Sequence, residues 1–168
     1  MKLSLFLFIT GLFFVVLQST FLRLLPLGPI VPDFVLVLCV YWGLYHPTVG
    51  GVLGSFILGY AVDTVSSRIL GLNAFTMSLV FLAVYMSSRS IWVQNPMISV
   101  IVVFLASLVK GAALVLLWAV FLSAEEFWVG AARYVLMEAL VAAALAPFIF
   151  ALLQRGQSYL ERLRLPAQ

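Results

Sequence analysis

Charge is scarce in this sequence. Nine basic and six acidic side chains are spread over 168 residues, 9% of the chain, whereas 65% is hydrophobic. So little polar surface cannot cover the core of a water-soluble domain of this length. Reactive side chains are scarcer still. Cys39 is the only cysteine, which excludes an internal disulfide or a thiolate cluster. It lies inside an apolar run and reads as a small buried hydrophobe. The one histidine, His46, precedes Pro47 in a short break, where a lone imidazole is rarely a metal ligand. There is no G-x-S-x-G elbow, no H-E-x-x-H pair and no glycine-rich phosphate loop. The expectation is a protein that is not an enzyme and uses no metal or cofactor.

Long apolar runs are what the chain does have. Polar or proline-bearing breaks fall at 23–32, 46–48, 63–71, 87–96 and 123–127, and again after 153. They leave six candidate spans, about 3–22, 30–45, 49–63, 72–87, 97–122 and 128–153. The pattern predicts an all-α polytopic membrane protein, one transmembrane domain over 1–168 with six transmembrane helices. The opening "MKLSLFLFITGLFFVVLQST" has a basic residue and an apolar run but no small-x-small cleavage site, so it reads as a retained first helix.

The formal charge is +3. In a membrane protein this excess reports cytoplasmic loops facing anionic lipid, not nucleic acid. Six spans put both termini on one side. With those ends inside, Lys2, Arg89, Arg155, Arg162 and Arg164 are cytoplasmic and outnumber Arg23, Arg68 and Arg133 outside, as the positive-inside rule requires. The tail 154–168 is a basic segment expected along the inner membrane surface. Spans two to four are short, roughly 24 Å against a hydrocarbon core of about 30 Å. Outer loops that dip below the headgroups would make that end of the bundle concave.

Three constellations stand out. "VGGVLGSFILGY" spaces Gly50 and Gly54, and Gly51, Ser55 and Gly59, four residues apart. Such a groove admits a second helix closely, either a neighbouring span or the helix of a partner protein. Asp33 and Asp63 come next. The tight turn at Pro47 makes spans two and three antiparallel neighbours of similar length, which returns both carboxylates to the outer rim. There Arg68 and Asn73 are expected to join them, with Arg68 compensating Asp63. Pro32-Asp33 also suits a helix start whose carboxylate caps free N–H groups. Finally, Lys110 and Glu138 are the deepest charges, roughly 18 Å and 15 Å from the outer ends of spans five and six. They read as an intramembrane ion pair or as a proton or substrate relay.

"VPDFVLVLCVYWGLYHP" followed by "GSFILGYAVDTVSSRILGLNA" resembles the bacterial rod-shape-determining MreD family. Members show Pro-Asp or Pro-Asn at the start of span two, an aromatic pair near its end, and G-x-x-x-D-x-x-S-G-x-x-L-G after span three. Pro32, Asp33, Tyr41, Trp42, Gly59, Asp63, Ser66, Leu70 and Gly71 match, while Val31 and Ser67-Arg68 depart. The motifs cover about 30 to 90, a third of the chain. The resemblance implies a non-enzymatic inner-membrane component of the cell-elongation complex that builds lateral peptidoglycan. Its implied partner is MreC, with the MreB filament and lateral-wall synthases in the same assembly. It also implies a fold similar to the substrate-binding S components of energy-coupling-factor transporters, with an outward pocket. On that implication Pro32, Asp33, Asp63, Ser66, Arg68, Gly71 and Asn73 belong to the rim of the pocket. A small-molecule-binding transporter subunit is the competing class.

Overall fold

The computed structural model describes residues 2–24, 33–66, 70–88, 96–122 and 128–162. All regular structure among them is helical: α1 (Lys2–Leu24), α2 (Phe34–Tyr45), α3 (Val49–Ser66), α4 (Leu72–Ser88), α5 (Pro96–Leu122) and α6 (Trp128–Arg162). Local chemistry explains where several of them begin and end. Asp33 caps α2 through the N–H of Leu36, and Pro47 disfavours helical geometry at His46. Thr48 then starts α3 by accepting the Gly51 N–H at its carbonyl, 2.9 Å, and at Oγ1, 3.2 Å.

Each of the six apolar runs holds a helix, with α2 beginning at Phe34 where the run is drawn from 30, and α3 passing 63 to end at Ser66. The helix expected to end near 153 continues to Arg162, and Gly156 and Gln157 within this stretch touch the bundle. Tyr41 donates to Gln157 Oε1 at 2.8 Å, and Gly156 fits against the Phe6 ring, whose Cζ an added Cβ would approach to 2.9 Å.

α2 is the axis of the structure. It packs against each of the other helices, and every residue from Val35 to Leu44 is buried. Twelve residues rise only about 18 Å, so a helix shorter than a membrane core is wrapped by longer ones. Side chains from all six helices meet around it in one cluster, with Tyr41, Trp42, Phe81, Leu58 and Ile149 among its members.

The outer faces are apolar too. α4 exposes Phe75, Leu79, Leu82 and Met86, and α5 exposes Met97, Ile101, Leu105 and Val109. These are stripes at helical spacing turned away from the core. By length and composition Met97–Leu117 and Arg133–Ser158 suffice to cross a membrane, while the apolar stretches of α1 to α4 are shorter.

Candidate functional site

Among the described residues two charged constellations and one small-residue stripe interrupt the apolar bundle, alongside single buried polar side chains such as Gln18, Ser99 and Ser107. The stripe carries the first constellation. Gly51, Ser55, Gly59 and Asp63 follow one another at intervals of four and therefore share one face of α3. A Cβ on Gly51 would lie 2.5 Å from the Phe81 ring, and one on Gly54 would lie 2.6 Å from Trp42. At Gly59 the collision is with backbone, 2.6 Å from the Asn73 carbonyl and 2.7 Å from Ala74 Cα. Ser55 is fully buried and donates to the Gly51 carbonyl at 2.7 Å. The groove is thus occupied by α2 and α4 of the same chain. Neighbouring spans fill it, and of its glycines only Gly50 is clear of them, a Cβ there meeting just Thr48 Oγ1 at 4.0 Å.

Asp63 stands one turn beyond Gly59, where α3 and α4 are in backbone contact. Its Oδ2 accepts the N–H groups of Gly71 and Ala74 at 3.0 and 3.1 Å. Its Oδ1 accepts the Asn73 N–H at 3.1 Å and the Asn73 side-chain amide at 2.9 Å. These are the free donors that open α4. A carboxylate unfavourably placed at the C-terminal end of α3 is therefore compensated by the positive N-terminal end of the next helix. Gly71 adopts a positive φ of 97°, a conformation that glycine takes without steric cost, and so turns its N–H toward the carboxylate. The sequence held a signal for this arrangement: the four-residue stripe does not stop at Gly59 but runs on to Asp63. Pro32 and Arg68 lie outside the described residues, as does the side chain of Ser66.

The second constellation joins three helices. Lys110 on α5 donates to Glu138 Oε1 on α6 at 3.4 Å. Its closer partner is Asp33, at the head of α2, which the ammonium meets in a buried ion pair. Asp33 thus does two things: Oδ1 caps Leu36 at 3.0 Å, and Oδ2 holds Lys110. Depth along α5 and α6 pairs Lys110 with Glu138 but does not register the head of α2, so the Asp33–Lys110 contact emerges only in the structure. Asp33 and Asp63, expected together on one rim, have different partners, Asp33 with α5 and Asp63 with α4, and the contact with Lys110 sets Asp33 at the depth of that residue.

The arrangement locks helices to one another. Asp63 ties α3 to α4, Lys110 ties α2 to α5 and α6, and Tyr41 ties α2 to the far end of α6. No curated protein and no solved structure matches the chain. The family model of the rod shape-determining protein MreD matches residues 1–156, nearly the whole length, and the chain belongs to that family.

Proposed function

We propose that this protein is a non-enzymatic scaffold of the bacterial cell-elongation complex that binds and positions MreC in the inner membrane. Membership of the MreD family makes it a rod shape-determining membrane component, and that match is the observation that carries the proposal. The geometry supports a holding role. The charged groups buried in the bundle bond to one another and to helix ends, which rigidifies a surface instead of presenting reactive groups to a substrate. Apolar outer faces on α1 and α3 to α6 suit a bundle of six spans in lipid, around a central α2. In this reading both termini are cytoplasmic, and the outer ends of the helices form a concave rim of the S-component kind. MreB and the lateral-wall synthases are reached through MreC.

Co-purification of MreC with the full-length protein tests the proposal, alongside depletion in the living cell. The expected outcome is a stable complex, with rounding of cells on depletion. Failure to capture MreC, or a purified protein that instead retains a small ligand, would overturn the scaffold reading in favour of a transporter subunit.

A further inference from the structure

Resting on the reading of this protein as a holder of a membrane partner, we propose that Glu138 is the docking point for a membrane helix bearing a basic side chain. The charge count of the buried constellation leads there. Lys110 and Asp33 have side chains only 9% and 2% exposed and pair with each other, forming a neutral unit. Glu138 is the surplus anion, with 34% of its side chain exposed.

Its surroundings are apolar. One turn away on α6 stand Tyr134, which is 52% exposed, and the half-buried Val141, with the half-buried Leu145 a turn further on. Arg133 is five residues off and so points from a different face. Lys110 is the one cation paired with Glu138 among the described residues. An ionisable group partly open on the apolar flank of a membrane helix is costly unless a partner meets it. A basic side chain presented at the same depth by a passing helix completes the set, two cations for two carboxylates. The charge also fixes the height and rotation at which that helix docks.

The test uses the full chain co-expressed with MreC, with complex formation and thermal stability both measured. Glu138→Gln keeps the shape and one acceptor oxygen while removing the charge. It is expected to weaken the complex about tenfold to a hundredfold, the weight of one charge-assisted hydrogen bond, while the melting temperature of the free protein falls only slightly, because Lys110 keeps its buried partner Asp33. A photocrosslinker at Tyr134, in a chain that keeps Glu138, should capture the partner's membrane helix. Binding of Glu138→Gln at wild-type strength would mean that the charge plays no part in docking, and it overturns the inference. Crosslinks from Tyr134 only to lipid or to this chain overturn it as well. The two levels remain distinguishable. If the wild-type chain captures no MreC, the scaffold reading falls; if wild type binds and Glu138→Gln binds equally, only the docking point falls.

Discussion

Asp63 shows how much one side chain can hold. It is fully buried and accepts from three backbone N–H groups and one side-chain amide at the head of α4. Asp63→Ala leaves those donors without an acceptor, at about 1–3 kcal/mol for each group left unsatisfied. Asp63→Asn keeps one carbonyl oxygen and should lose roughly half as much. Thermal unfolding in detergent checks the order: equal melting temperatures for the two variants would show that the cap contributes little. Lys110 allows a sharper comparison. Lys110→Met strands Asp33 as a buried unpaired charge and should cost about 3–5 kcal/mol. Adding Asp33→Asn should restore part of the loss, since asparagine strands no charge and still accepts from Leu36. Double-mutant cycles measure the pairwise terms, and the Lys110–Asp33 coupling is expected to exceed the Lys110–Glu138 coupling. The reverse ranking would make Glu138 the true counter-ion.

At the scale of elements, α3 works as a ratchet bar with small teeth. Gly51, Gly54 and Gly59 let Phe81, Trp42 and the start of α4 approach to contact distance, gaining dispersion that lipid cannot replace. Gly54→Leu therefore drives a side chain into the Trp42 ring and should destabilise the bundle by at least the roughly 1–3 kcal/mol typical of overpacking. Gly50→Ala meets only Thr48 Oγ1, at 4.0 Å. It should be neutral or gain up to about 1 kcal/mol from helix propensity. Measuring the folded yield and melting temperature of both variants without any partner present decides the point. A Gly54→Leu protein that folds normally alone would move the groove's purpose back to a partner helix. The end of α6 is an element held from outside itself, by Tyr41 and Phe6. Tyr41→Phe should loosen it by about 0.5–1.5 kcal/mol, the worth of one hydrogen bond, seen as faster amide exchange beyond Leu153.

For the whole molecule the question is orientation. Cys39 is the sole cysteine and is fully buried, so the chain is a ready background for single-cysteine labelling. Val49, at the start of α3, is 82% exposed, and Leu70, between α3 and α4, is 60% exposed. Both termini inside implies that an impermeant maleimide reaches Leu70→Cys in intact spheroplasts, but Val49→Cys only after the membrane is opened. The opposite pattern would invert the molecule in the membrane and place Glu138 nearer the cytoplasmic face.

What the sequence determined by itself was local. The start of α2 and the turn after it were legible because Asp33 and Pro47 act within a few residues of themselves, and the apolar runs declare their surroundings by composition. The matched motif residues were legible for the same reason, being contiguous around α2 and α3. Partner choice was not local, and there the tertiary structure decided. Lys110 meets Asp33 because α2 is short and central, which brings its capped end to the height of Lys110 on α5; no periodicity within α5 or α6 records that height. Trp42 and Phe81 fill the glycine groove because α2 and α4 flank α3, a matter of helix rotation that the four-residue spacing leaves open. Asp63 lay between the two regimes. Its face was written in the stripe from Gly51 through Ser55 and Gly59, but what waited opposite was settled only when α4 folded back and presented its free N–H groups.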